Sequence, residues 1–136
     1  MINILEIKQG NVVKYANNNY WNKEVIGQHV TVDADIYRDI DSNPHLFDPV
    51  ELSIDLLLKY GFFDHNSEGI DFRIPLPIGN ASELFVEIGM GVNRINTCGI
   101  QDSDINFIYF EDVQYLHELQ NIFQSISRKE LAITNL

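Results

Sequence analysis

From Gly69 to Phe110 the chain is interrupted every few residues, and that spacing constrains the fold more than any other feature. The segments "GIDFRIPL", "ELFVEIGMGV", "RINTC" and "INFIYF" are short and rich in Ile, Phe, Val and Tyr, and Gly, Asn, Asp or Pro separates them. β-Branched and aromatic side chains suit a pleated surface, whereas the separators favour turns. Phe85-Val86-Glu87-Ile88 and Asn106-Phe107-Ile108-Tyr109-Phe110 carry the strongest strand signals. Short strands that follow one another without helices between them pair with their neighbours, so an antiparallel meander is predicted.

A sheet of this kind needs cover for one face, and the C-terminal region supplies it. From Asp112 to Ile126 the apolar residues Tyr115, Leu116, Leu119, Ile122, Phe123 and Ile126 recur at 3–4 spacing, which predicts an amphipathic helix. Glu111 and Asp112 would sit at its positive end, with Arg128 and Lys129 beyond its negative end. Ser127-Arg128-Lys129-Glu130 offers a capping box for a short final turn.

The first third also reads as β. "NVVKYA" and "YWNKEVIGQHVTV" flank Asn17-Asn18-Asn19, and asparagine tolerates the left-handed backbone of tight hairpins. Gly10-Asn11 supplies an earlier turn, and a small, strongly bent sheet resembling an SH3-type barrel is expected. The acidic stretch "DADIYRDIDSNPH" then reads as a loop. Two helix starts compete after it: Asp48 with Pro49, Glu51 and a Phe47–Leu52 staple, or Ser53 with Ile54, Leu57 and Leu58 on one face. The alternation of Val50, Leu52 and Ile54 favours the second, a short helix over 54–60 ended by Gly61 as a left-handed cap. The expected fold is a single α+β domain over residues 1–136. Its bent antiparallel sheet combines an SH3-like N-terminal part with the meander, one short central helix and a covering C-terminal helix.

Charge narrows the range of partners. Nine basic residues against 20 acidic ones give a net charge of −11. Duplex binding draws its affinity from Lys and Arg on phosphates, and the basic residues here are few and scattered, so direct nucleic-acid binding is disfavoured. The acids keep the fold soluble, mimic nucleic acid, or face a basic protein partner. The single cysteine, Cys98, excludes an intrachain disulfide and has no His or Lys beside it, which marks a structural thiol in a reducing compartment. The start "MINILEIKQGNVVKY" lacks the pattern of a signal peptide. No run approaches the roughly 18 apolar residues of a membrane span, so a cytoplasmic location without membrane contact is expected.

Motifs that carry chemistry fail one by one. His117-Glu118 begins H-E-x-x-H, but the position that needs a second histidine holds Asn121, and His29, His45 and His65 show no shared spacing with it. His117, Gln120, Asn121 and Gln124 read instead as the polar border of the terminal helix, fastening it to neighbouring structure or forming a ligand or partner edge. Asp39-Ile40-Asp41-Ser42-Asn43 opens like a calcium loop, yet Pro44 stands where glycine is needed and Val50 where the bidentate Glu belongs. Asp33, Asp35, Asp39 and Asp41 remain as a looser cation candidate beside the default of a solvated loop. Gly89-Met90-Gly91 lacks the third glycine of a dinucleotide loop, having Arg94 there, and marks a bulge or hairpin turn. There is no G-x-S-x-G and no phosphate-cradling G-x-x-x-x-G-K, and no cofactor is expected. Trp21 beside Tyr20, and Phe107, Tyr109 and Phe110, could stack on a ligand, though such residues more often serve a core.

Three segments together carry a resemblance. "GNVVKY", "PVELSIDLLLKYGF" and "VQYLHELQNIFQSISRKEL" resemble a family of small proteins from phages and mobile elements of Bacteroides-like bacteria, for which no activity is established. The matching features are Gly10, Asn11, Leu52, Ser53, Gly61, Phe62, Tyr115, His117, Leu119, Gln120 and Asn121. Ser127-Arg128 departs from the Thr-Gly expected after the helix, and the acidic loop and the 69–105 region have no counterpart. The resemblance implies an accessory gene of a mobile element and favours Ser53 as the helix cap. Three functional readings follow. The first is a non-catalytic binding protein, an accessory or counter-defence factor with an acidic surface. The second is a small-molecule or nucleotide-binding protein lined by aromatics and Gln120/Asn121. The third is a metal-dependent hydrolase around His117 and Glu118.

Overall fold

A computed structural model describes residues 2–16, 23–77, 82–89, 95–102 and 107–133. The chain is α+β, and the described residues form two antiparallel sheets and three α-helices. In order, the elements are β1 (Val12–Tyr15), β2 (His29–Thr31), α1 (Ala34–Ser42), β3 (Phe47–Pro49), α2 (Ile54–Lys59), β4 (Phe63–His65), β5 (Asp71–Pro75), β6 (Glu83–Glu87), β7 (Asn96–Gln101), β8 (Phe107–Val113) and α3 (Leu116–Ser127). They fall into two compact units: Met1–Glu51 with Tyr115–Ile122, and Leu52–Gln114 with Phe123–Leu136.

The first unit is built on a three-stranded sheet in the order β2-β1-β3. Val13 lies opposite both Val30 and Pro49 and is fully buried. The Gly10-Asn11 turn forms as expected, with Gly10 at φ 94° and its N–H donating to the Val32 carbonyl at 2.8 Å. Asn17, Asn18 and Asn19 lie outside the described residues. Where a loop is expected at 34–42, the chain forms α1. Asp33 caps it by accepting from the Ile36 N–H at 2.8 Å, and Ile40 is fully buried. Ile36 and Tyr37 pack beside Ile40 on the same core, so an i, i+1, i+4 apolar face holds a helix that its acid content obscures. The rival helix start at Asp48 is absent: Asp48 and Pro49 belong to β3, an edge strand, where proline costs no ladder bond.

The second unit opens with α2. Ser53 accepts from the Leu56 N–H at 3.2 Å, as the cap expected from sequence. At the other end Gly61, at φ 92°, donates to the Leu58 carbonyl (3.1 Å), and Phe62 donates to Leu57 (3.0 Å). These are the two bonds of a Schellman stop, and they bury Phe62. Five strands follow in the order β4-β5-β6-β7-β8, every neighbouring pair antiparallel, which is the meander. The short β4 is an addition that sequence reading missed. Phe72, Leu84, Val86 and Cys98 line the buried face. On the other face Arg73, Phe85, Gly99 and Tyr109 stand in one cross-strand row.

Gly99 sits in that row because no side chain fits there. A Cβ would lie 2.3 Å from the Ile108 carbonyl oxygen and 2.6 Å from the Phe85 ring. The obstacle includes backbone of the paired strand, which cannot rotate away. Gly99→Val is therefore expected to cost about 2–3 kcal/mol through overpacking and loss of β7–β8 pairing. Chemical denaturation, with amide exchange of β8, measures both.

The terminal helix begins later than expected, at Leu116 rather than Asp112, because β8 continues through Val113, which is 1% exposed. It also ends without the expected extra turn. Arg128 takes φ 59°, and the Ser127 hydroxyl bonds the Phe123 carbonyl at 2.7 Å and accepts from the Lys129 N–H at 3.1 Å.

Candidate functional site

The polar border of α3 is assembled at the start of that helix, within the first unit. Glu118, the second half of the His-Glu pair, turns back to accept from the Tyr115 N–H at 2.9 Å. This is the reach-back bond of a capping box, so the residue that would be a general base in a zinc protease here helps to start a helix. His117 is 3% exposed and stacks on Tyr115 with ring centroids 5.8 Å apart and planes 9° from parallel.

Gln120 and Asn121 each bond at both ends of the amide. Gln120 Oε1 accepts from the Val12 N–H at 2.8 Å, and its Nε2 donates to the Gly10 carbonyl at 3.3 Å. Asn121 Oδ1 accepts from Asn11 Nδ2 at 2.9 Å, and its Nδ2 donates to the Glu6 carbonyl at 3.0 Å. Asn11 is itself buried, and its side-chain Oδ1 accepts from the Lys8 N–H at 2.8 Å. Four bonds thus join one turn of α3 to residues 6–12, and they satisfy backbone groups at the entry to β1 that the ladder does not reach. Gln124, one turn on, is exposed. Trp21 and Tyr20 lie outside the described residues, as do Met90, Gly91 and Arg94. Gly89 has φ 69° and donates to Asn96 Oδ1 at 3.1 Å, consistent with a turn there. Tyr109 is 57% exposed and meets Phe85 edge-on at 5.4 Å.

The acidic candidates are spread along α1. Asp33 is committed to its cap, Asp35 lies 3.6 Å from Arg38 in an exposed pair, and Asp39 and Asp41 are exposed. His29 and His45 are exposed, and His65 is half-buried on β4. Among the described residues no three His, Cys, Asp or Glu side chains converge as a metal site requires. No helix among the described residues is long and apolar enough to cross a membrane.

Cys98 is fully buried, and burial pushes its thiol up to about 12. At pH 8 its thiolate fraction would be on the order of 10⁻⁴, so it is expected to resist disulfide reagents in the folded chain and react only after unfolding. A thiol titration with and without denaturant checks this.

A second polar cluster, which sequence reading missed, occupies the second unit. Arg73 is 6% exposed and grips Asp71 side-on, Nε to Oδ1 at 3.1 Å and Nη2 to Oδ2 at 2.8 Å. Its Nη1 bonds Gln101 Oε1 and lies 3.6 Å from Glu83 Oε1, and the guanidinium carbon stands 6.0 Å from the Phe85 ring centre. Hydrogen bonding and attraction from Asp71, with a further contribution from Glu83, raise the Arg73 pKa against the opposing effect of burial. The i, i+2 spacing of Asp71 and Arg73 is visible in sequence, but Glu83 and Gln101 join only through strand register.

No protein-family model, curated protein sequence or solved structure matches this chain.

Proposed function

We propose that this is a non-catalytic binding protein that recognises a basic protein partner through the outward face of α1. The observation that carries the reading is the disposition of that helix. Ile36, Tyr37 and Ile40 turn to the core, while Asp35, Asp39 and Asp41 are exposed with Arg38 as the helix's one cation. A ridge of like charge on a rigid element raises the encounter rate with an oppositely charged surface and rejects acidic ones. The net charge of −11 extends the same field over the whole chain.

The residues that first suggest chemistry are occupied elsewhere: Glu118 starts the helix, and Gln120 and Asn121 are bonded within the chain. On the acidic face Asp35 supports the first turn and pairs with Arg38, while Asp39 and Asp41 are exposed carboxylates. The resemblance in sequence adds a context, an accessory or counter-defence factor of a phage or mobile element. Affinity capture from host lysate at low and high salt tests the reading. Retention of a basic protein at about 50 mM salt and its release at about 0.5 M is expected, since the Debye length falls several-fold over that range. Absence of any salt-sensitive partner would count against it.

A further inference from the structure

Among the described residues, His117 is the buried polar side chain left without a hydrogen-bond partner. Neither ring nitrogen has a hydrogen-bond partner among the described residues, although the residue is 3% exposed. Glu6 Oε2 stands 3.5 Å from Nε2. Glu6 belongs to the short 3-10 turn Ile4–Glu6, whose last carbonyl already accepts from Asn121, so the carboxylate is held at the same seam. Its side chain is 57% exposed, and its other oxygen, Oε1, accepts from Asn3 Nδ2 at 3.5 Å within the same turn. The flat stack on Tyr115 fixes the plane of the imidazole. Glu118, next in sequence, turns its carboxylate to the Tyr115 N–H, and no third His, Cys, Asp or Glu completes a cluster with Glu6 and His117 among the described residues. At 3.5 Å no hydrogen bond is formed, and protonation of the ring adds a full opposite charge to the N–H that faces the carboxylate.

We propose that His117 and Glu6 form a proton-operated latch: His117 takes a proton from solvent on acidification, and the loose contact becomes an ion pair tying the N-terminal turn to α3. The device is independent of the acidic ridge and of any partner. Its test is denaturant unfolding of the full chain and of E6Q at about pH 5.5 and about pH 8, on either side of the range where histidine changes charge. Glu6 is exposed enough that E6Q keeps the fold. The unfolding equilibrium constant of E6Q is expected to exceed that of the wild type by about three- to tenfold at the acidic pH and to match it within about twofold at the alkaline one. On an H117Q background the acidic difference should vanish. A Glu6 effect of equal size at both pH values, or absent at both, overturns the proposal, and so does one that survives in H117Q. If H117Q does not fold, the E6Q comparison decides the matter alone.

Discussion

Gln120→Leu is expected to lower the unfolding free energy by about 2–4 kcal/mol. Leucine fills a similar volume, so the loss comes from the bonds. The Val12 N–H and the Gly10 carbonyl both depend on this one amide, at 2.8 and 3.3 Å. Gln120 is 6% exposed, so water cannot readily replace it, and each stranded backbone group costs about 1–3 kcal/mol. Gln124→Ala provides the contrast. Gln124 shares the polar border in sequence but is exposed, and the change should stay within about 0.5 kcal/mol. Urea unfolding of the two variants separates a fastening residue from a surface one, and amide exchange at Val12 should accelerate only in Gln120→Leu.

Arg73→Met should cost about 3 kcal/mol. The methionine keeps much of the stem that packs by Phe85 but leaves Asp71 and Glu83 without the cation they share. Removing one member of a buried pair costs about 3–5 kcal/mol, and the low end applies because the Asp71 and Glu83 side chains remain 21% and 28% exposed. Arg73→Lys should recover only part of the loss, since an ammonium cannot reproduce the side-on grip of Nε and Nη2 on Asp71. Equal stability of the Lys variant and the wild type would show that charge alone, and not the planar fork, holds this face together.

Local signals in the sequence account for the features that local chemistry determines. The meander follows from short apolar segments and their separators. The limits of α2 follow from Ser53 and Gly61, whose side chain and backbone freedom act within a few residues. Features set by competing signals were harder to read. Glu111 and Asp112 suit a helix start, yet the burial of Val113 keeps them in a strand. In α1 the density of aspartates masks the spacing of Ile36, Tyr37 and Ile40, which could have revealed the helix. The bonds of the polar border lie beyond any local reading, because Gln120 meets Val12 across 108 positions and Asn121 meets Glu6 across 115. The sequence can place an amide at a helix border, but what it bonds depends on how the chain returns. The Arg73 cluster is hidden for the same reason: Gln101 is brought to it by strand register across 28 positions.

Recognition through the outward face of α1, as proposed, can be separated from a general charge effect by one comparison. The variant D35N/D39N/D41N removes three exposed charges while leaving the Asp33 cap and the buried Ile36, Tyr37 and Ile40 untouched. Binding of wild type and variant to the captured basic partner should be compared at one fixed low salt concentration, after thermal unfolding shows that their stabilities agree. Binding by the variant is expected to be at least about tenfold weaker, with a flatter dependence of affinity on salt. Equal affinity and an equal salt slope would contradict recognition through that face.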